Sequence, residues 1–324
     1  VATFGVGNTT QSNAIASNME STFHVAPTIT AVVIGVLTLG ALVGGIKSIS
    51  KVTVFCVPLM IALYVGGGLY ILAVNWSGIP HALALIFGNA FTPSGAAGGA
   101  AGSLLMTMQI GVARSLFSNE SGMGTASIPS SIAQTAHPVR QGLVSMTQTF
   151  IDTIIVVTCT GLVIITTGQW TAGADAAGTM TSRAFSTGLP GSWGGWIVTI
   201  GLVLFAYSTI LGWAYYGERC IERLFGRRGV PAYRVLFSVI VYVGCTVPLS
   251  LVWTFADIAN GLMAIPNLIG LLILSGLIAR ETRHYLRNDP SVTADKDEVD
   301  EFMKGHPGAI DTYETQSIPQ VDRR

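Results

Sequence analysis

The chain has 324 residues, half of them hydrophobic and only a tenth charged, with 38 glycines and a formal net charge of zero. A soluble domain carries about a quarter charged residues, so this shortage, with a mean hydropathy of +0.58, excludes an ordinary soluble domain and, lacking a basic surplus, a nucleic-acid binder. The four cysteines, Cys56, Cys159, Cys220 and Cys245, have the spacing of neither a disulfide framework nor a zinc site.

The chain opens at Val1 without an initiator Met or a signal peptide, as expected of a fragment that begins partway through a helix. Residues 1–17 are mildly apolar but gather Asn8, Thr9, Thr10, Gln11, Ser12 and Asn13, an amide and hydroxyl cluster that in a membrane helix seeks partners inside a bundle. Residues 28–45 form the first full span, followed by Lys47 and Lys51 in a loop; 52–74 form the next, with a glycine break at 66–68 and an interfacial Trp76. Residues 79–89 read as a short amphipathic surface helix and 91–102 as a flexible Gly/Ala lead-in. Two helix-length segments, 102–117 and 125–136, are then separated by Ser-Asn-Glu-Ser-Gly-Met-Gly at 118–124.

After a water-facing turn at 137–140 come a span at 142–167 carrying Asp152, a Gly/Ala/Ser/Thr loop at 168–195 and a span at 196–216. Five arginines follow within 218–234. The last spans are 233–251 and 255–278, with an elbow at 252–254, and residues 288–324 form a polar tail with nine acids and four bases, expected to be disordered. If the broken segment crosses once, Lys47/Lys51, Arg140, the arginines of 219–234 and Arg280/Arg283/Arg287 share one side. The positive-inside rule makes that side, and the C-terminus, cytoplasmic.

The stretch 118–124 is the organising feature. Unpaired backbone in hydrocarbon is costly, so a non-helical segment at membrane depth survives only where it lines a cavity or is covered by protein. A half-helix ending there turns its dipole and free N–H or C=O groups towards a small zwitterion or ion. The other ionisable groups in apolar segments are candidates by their cost, each with a structural alternative. Asp257 reads as an N-cap, Glu218 as an interfacial pair with Arg219 or Arg223, and Arg114 and Glu120 as a mutually neutralising pair; Asp152 reads equally as a structural hydrogen-bond partner or a transport residue. Ser208 and Thr209, with the carbonyl of Phe205 a turn earlier, offer hard oxygens to a small cation, or simply bond back to the preceding turn. Trp213 shares a helix face with Thr209.

Several of these runs together resemble the alanine or glycine:cation symporter family. They are Phe4-Gly-Val-Gly-Asn8 with Gln11 and Asn13, Phe117-Ser-Asn-Glu-Ser-Gly-Met-Gly-Thr-Ala126, Thr135-Ala-His-Pro-Val-Arg-Gln-Gly-Leu-Val144 and Phe150-Ile-Asp-Thr-Ile-Ile-Val156. Ser208-Thr-Ile-Leu-Gly-Trp-Ala-Tyr-Tyr-Gly-Glu218 and Trp253 with Asp257-Ile-Ala-Asn-Gly-Leu-Met-Ala-Ile-Pro-Asn267 fit as well. The likeness runs from residue 1 to about 287; Ser121 stands where the family has Ala, and the family's N-terminal part is absent.

The resemblance implies an all-α polytopic membrane protein with a leucine-transporter-like inverted-repeat fold, here incomplete, from the end of helix 3 to helix 10. Residues 1–287 would form the transporter domain and 118–124 the unwound part of helix 6. It implies sodium-coupled symport of alanine or glycine by alternating access across the cell membrane, with sodium as coupling ion, no other cofactor and the lipid bilayer as surroundings. Asn8, Gln11, Asn119, Ser121, Gly122, Met123, Gly124 and Trp213 would line the substrate pocket, and Phe205, Ser208 and Thr209 the sodium site. A proton-coupled carrier using Glu120 or Asp152 is the alternative. An intramembrane serine hydrolase built on Ser121 would want Gly-x-Ser-Gly, whereas Asn119 holds the first position, and all five histidines lie outside the spans; the chain is therefore expected not to be an enzyme.

Overall fold

A computed structural model describes residues 2–90, 103–172, 178–191 and 193–303. Among the described residues there is no strand. A helical turn at Ala2–Phe4 and a π-helical turn at Gly5–Thr9 lead into α1 (Thr10–Phe23), followed by α2 (Pro27–Val43), α3 (Gly45–Val74) and α4 (Ile79–Ala90). Then come α5 (Ser103–Asn119), the single turn α6 (Ser127–Ser130), α7 (Pro138–Phe150), a π-helical turn at Ile151–Val157 and α8 (Thr158–Thr166). The chain continues through α9 (Met180–Gly188), α10 (Trp193–Phe225), α11 (Val230–Thr246), α12 (Leu249–Asn288) and α13 (Lys296–Met303). Five helical stretches among the described residues are long and apolar enough to cross a membrane: Thr53–Val74, Pro138–Thr166, Gly194–Phe225, Arg227–Thr246 and Leu249–Asn288. With the shorter apolar helix Pro27–Val43, they make this a multi-pass membrane protein.

The centre of the bundle is α1, enclosed by α2, α10 and α11. Ile15, Ile34, Leu42, Ile210, Leu211, Phe237 and Val241 form its buried core. Hydrophobicity alone does not drive helices together in lipid, so close approach and polar ties must do so. Both are present. A Cβ on Gly244 would lie 2.7 Å from the Thr9 Cα, so α11 and the start of α1 meet backbone to backbone. Across that seam the Asn8 side-chain amide donates to the Phe237 carbonyl (2.8 Å), and that of Asn13 to the carbonyls of Gly244 (3.1 Å) and Val247 (2.9 Å). The amide cluster at the start of the sequence is thus largely consumed in tying helices together.

Several predicted boundaries move. The loop over Lys47 and Lys51 is instead the first part of α3, the chain turning at Gly45 (φ 66°). The glycines at 66–68 do not break α3. They serve packing: a Cβ on Gly68 would sit 2.7 Å from the Cys159 Sγ of α8, and one on Gly67 would touch the ring of Phe185 at 3.3 Å. Within the predicted 168–195 loop lies α9, whose Ala184 and Phe185 are buried against α3 and α10. The elbow predicted at 252–254 is helical; the true break is Val247-Pro248, where Val247 is extended (φ −86°, ψ 155°) because the proline ring disfavours helical backbone in the residue before it. The helix predicted over 125–136 is present only as α6. There Pro129 removes a donor, and the Ser127 and Ser131 hydroxyls bond back to the carbonyls of Gly124 and Ile128, competing with helix continuation. The lead-in at 91–102, Asp175 and residues 304–324 lie outside the described residues.

At one end of the bundle, the start of α7 is clasped to the end of α12. His137 caps α7 by accepting the Val139 N–H, stacks on Tyr285 (centroids 4.4 Å apart) and meets Glu281 at 3.3 Å. Arg140 donates to the Tyr285 hydroxyl, the Asp289 carboxylate (2.8 Å) and the Ala294 carbonyl. Burial works to raise Asp289, but donors at Tyr285, the Thr293 amide, Arg140 and the Ala294 amide outweigh it and hold the carboxyl below the usual range. Burial also pushes His137 down, against the pull of Glu281. The start of the polar tail is folded here: Val299 of α13 is buried, and the Phe302 carbonyl meets His284 Nε2 at 3.2 Å.

Candidate functional site

Helix α5 ends inside the predicted break. Three of the five residues from Glu120 to Gly124 have left-handed backbone: Glu120 (φ 53°), Gly122 (76°) and Gly124 (81°). Two are glycines, which adopt it freely; Glu120 does not, and marks strain of the kind found where a ligand is held. At Gly124 an added Cβ would also meet Asn267 Oδ1 at 2.8 Å. The turn is pinned from two sides. Asn119 exchanges hydrogen bonds with Thr153 (2.9 and 3.1 Å), and the Ser118 hydroxyl donates to Asp152. Both partners sit in the π-helical turn Ile151–Val157, whose extra residue re-aims side chains. From α12, the Asn267 side-chain amide donates to the Gly122 carbonyl (2.9 Å).

Against this turn lies Trp213 of α10, only 3 % exposed. Its seat is the backbone of Gly7, where a Cβ would lie 1.9 Å from the Trp213 Cγ. Trp213 packs with Val6, Ala256 and Ala259, and Phe117 and Met263 border that cluster. The Glu120 carboxylate faces the Trp213 indole N–H and the Thr125 hydroxyl. Met123 is buried while Ser121 and Gly122 are half-buried. The structure thus gathers Asn119, Glu120, Ser121, Gly122, Met123, Gly124 and Trp213 around one stretch of irregular backbone.

The ionisable side chains take other partners than predicted. Arg114 does not pair with Glu120; it bonds Asp257 at 2.6 Å and lies 3.9 Å from the centroid of the Trp253 ring, which also packs on Phe117. Asp257 is therefore no N-cap: it lies within α12, joining that helix to α5 one and a half turns before the break. Glu218 meets Arg219 at 3.3 Å, but its chief partner is Arg234 of α11, which donates through Nε (2.9 Å) and Nη2 (2.8 Å). That buried fork joins α10 to α11.

The remaining expected site residues lie on α10, on α1 and in the π-helical turn before it. Asn8 is fully buried, its amide given to Phe237 and its Oδ1 accepting from Ser12; Gln11 is half-buried. Ser208 and Thr209 both donate to the Phe205 carbonyl (2.7 and 3.0 Å). Their protons are spent inward, which leaves hydroxyl lone pairs to face a cation, whereas the doubly engaged Phe205 carbonyl is the least available of the three oxygens. Among the described residues no group of His, Cys, Asp or Glu could hold a transition metal.

Asn267, Thr153 and Gly7 were not singled out from the sequence as parts of the site. Asn267 had a usable signal: it follows Pro266 inside an apolar helix, where a proline frees a carbonyl and a neighbouring amide has work to do. Thr153 and Gly7 look in the sequence like any other membrane-helix threonine and glycine.

The chain matches the model of the sodium:alanine symporter family over residues 1–300. An uncharacterized transporter of Haemophilus influenzae is 47 % identical over 92 % of this chain and 66 % of its own length. The sodium/alanine symporter AgcS of Methanococcus maripaludis is 48 % identical over 88 % of this chain and 62 % of its own. A probable sodium/glutamine symporter, GlnT of Bacillus subtilis, is 33 % identical over 94 % and 63 %. The chain spans somewhat under two thirds of the length of these relatives. The named relatives are transporters and symporters rather than enzymes, and with the family match over residues 1–300 the chain belongs to the sodium:alanine symporter family.

Proposed function

We propose that the full-length protein carries a small neutral amino acid, alanine or glycine, into the cell together with sodium, by alternating access in a leucine-transporter-like inverted-repeat fold. The observation that carries this reading is the non-helical turn at 119–124, with three left-handed residues pinned against Trp213 and Asn267. Such a turn presents main-chain N–H and C=O groups that no helix has consumed, which is what the ammonium and carboxylate of an amino acid require.

Asn119, Ser121, Gly122 and Gly124 surround the substrate's polar groups, with Gln11 contributing from α1 and Asn8, itself bonded to Phe237 and Ser12, holding the wall behind it. Met123 and Trp213 bound the side chain. Sodium sits at Ser208 and Thr209, aided by the Phe205 carbonyl, one turn before Trp213. Coupling needs only that sodium and substrate favour the same conformation. In this reading residues 1–287 form the transporter domain of a cell-membrane protein, and the positive-inside rule puts its C-terminus in the cytoplasm. The name of AgcS, a sodium/alanine symporter, favours alanine; that of GlnT, a probable sodium/glutamine symporter, makes glutamine the competitor to test.

The test is uptake of radiolabelled alanine into proteoliposomes containing the full-length protein, at fixed pH, with an inward sodium gradient or potassium in its place. Sodium-dependent accumulation supports the reading; equal uptake in both salts with dependence on a proton gradient assigns a proton-coupled carrier instead. Trp213→Ala should raise competition by glutamine and leucine at the expense of alanine. One methylene in an apolar pocket is worth about 1–3 kcal/mol, so the shift should be tens-fold.

A further inference from the structure

We propose that Glu120 is the seat of a monovalent cationic group at the break, distinct from the oxygens of Ser208 and Thr209; the proposal rests on the symporter reading above. Glu120 has left-handed backbone (φ 53°), which turns it out of the α5 helical row. Its carboxylate faces the Trp213 indole N–H and the Thr125 hydroxyl, with Tyr216 of α10 close by. No ion pair among the described residues includes it, and Arg114, the basic residue nearest in sequence, is committed to Asp257 and the Trp253 ring.

A carboxylate offers about four lone-pair directions, and the indole and hydroxyl beside it leave most of them open. An anion left so in a membrane bundle is costly, and such groups persist where they pair with a charge that comes and goes. The Thr125 hydroxyl adds a second observation. It is 4 % exposed, and its Oγ1 lies beside the carboxylate without a hydrogen-bond partner. Carboxylate and hydroxyl oxygens side by side, dry on the indole side, suit a compact cation that takes hard oxygen ligands or donates N–H bonds. Sodium and the α-ammonium of the amino acid share that chemistry.

The experiment compares wild type, Glu120→Gln, Glu120→Asp and Thr125→Val in the full-length protein. Three readouts are needed: the sodium-induced rise in melting temperature without amino acid, alanine affinity at saturating sodium, and the pH profile of uptake. Loss of the negative charge should weaken one ligand by roughly tenfold or more, as expected for a charge-assisted hydrogen bond. Glu120→Asp should recover part of the loss, and Thr125→Val should show a smaller loss of the same ligand. A lost sodium response assigns the ion; an intact sodium response with weakened alanine assigns the ammonium.

The proposal is overturned if all variants bind sodium and alanine like wild type, or if only their melting temperatures fall. It is also overturned if Glu120→Gln abolishes the pH dependence of uptake while both ligand constants stay unchanged, because the carboxylate then carries a proton. If Glu120→Gln does not fold, Thr125→Val decides by the same readouts. Failure of wild type to accumulate alanine with sodium would sink the symport reading, while the sodium-induced melting shift of wild type against Glu120→Gln still judges the cation seat.

Discussion

The seam between α1 and α11 and the break after α5 use the same residue types to opposite ends. In the seam, glycine and asparagine bring two backbones together: Gly244 lies on Thr9, and Asn8 and Asn13 give their amides to carbonyls of α11. The Asn8 and Asn13 amides there are answered by protein carbonyls. At the break, glycine permits left-handed turns, and Asn119 and Asn267 hold the turn in place from neighbouring elements while main-chain groups of 120–124 stay half-buried. A membrane bundle can leave helical geometry only where something else completes the hydrogen bonding. The seam completes it between two helices and makes a scaffold; at the break the carbonyls of Gly122 and Gly124 are taken by Asn267 and Ser127, and on the reading proposed above a ligand takes groups that remain. Gly7 joins the two, since it leads into α1 and seats Trp213.

The largest effect should come from the seam. A side chain at Gly244 meets Thr9 backbone, which cannot rotate away, so Gly244→Val must push α1 and α11 apart. Overpacking of this kind costs about 3 kcal/mol or more. The expected result is loss of monodisperse protein on size exclusion and of any thermal transition. A well-folded Gly244→Val protein would show that the seam is not the scaffold.

Gly124→Ala should separate the two regions most sharply. Left-handed backbone costs a non-glycine residue about 1–2 kcal/mol, and the new methyl presses on Asn267 Oδ1 at 2.8 Å, so folding should survive while the turn shifts. Alanine uptake should fall by more than about tenfold with a melting temperature lowered by only a few degrees. Equal damage to uptake and stability would mean that the break is structural, like the seam.

How much of this was legible beforehand follows from the same contrast. The break could be read because Asn, Glu and two glycines within seven residues contradict an apolar helix, whatever surrounds them. The seam's role could not: nothing in the sequence shows that the Asn8 amide reaches the Phe237 carbonyl of another helix. Glycines are ambiguous for the same reason, as at 66–68, where the break expected from them is a helix packed on Cys159 and Phe185. Pairings across the bundle, Arg114 with Asp257 and Glu218 with Arg234, join residues 143 and 16 positions apart; composition shows the charges but not which ones meet.

Thr209→Val gives a smaller effect. Its hydroxyl bonds back to Phe205, a bond whose loss is nearly neutral to a helix, so the fold should be unchanged. The oxygen removed is one of the few in the proposed sodium site, and the sodium concentration for half-maximal uptake should rise several-fold, by an amount equivalent to about 1 kcal/mol. Alanine affinity at saturating sodium should hardly move. An unchanged sodium curve would remove Thr209 from the ion site and leave Glu120 as the better candidate.

The smallest effect tests where the irregular stretch is anchored. The segment after the break stays largely non-helical until His137 caps α7 and stacks on Tyr285, so the clasp bounds whatever freedom the break has. Burial lowers the His137 pKa despite Glu281, with Arg140 and His284 also facing it. A base whose folded pKa is lowered binds its proton less readily folded than unfolded. Its contribution to stability is full above the unfolded value of about 6.5 and declines as the pH falls from there towards the lowered value. Asp289, also held low, acts in the same direction but only below its unfolded value of about 3.9. Acidification from pH 7 to 5 should therefore lower the amide protection factors, with the intrinsic pH dependence of exchange divided out, at 137–141 and 285–294 in wild type. His137→Asn, which keeps a capping side chain without the titrating ring, should flatten that dependence while leaving exchange at the α1–α11 seam alone. If wild type and variant respond alike, the far end of the break is fixed by the Arg140–Asp289 pair, and His137 merely starts the helix.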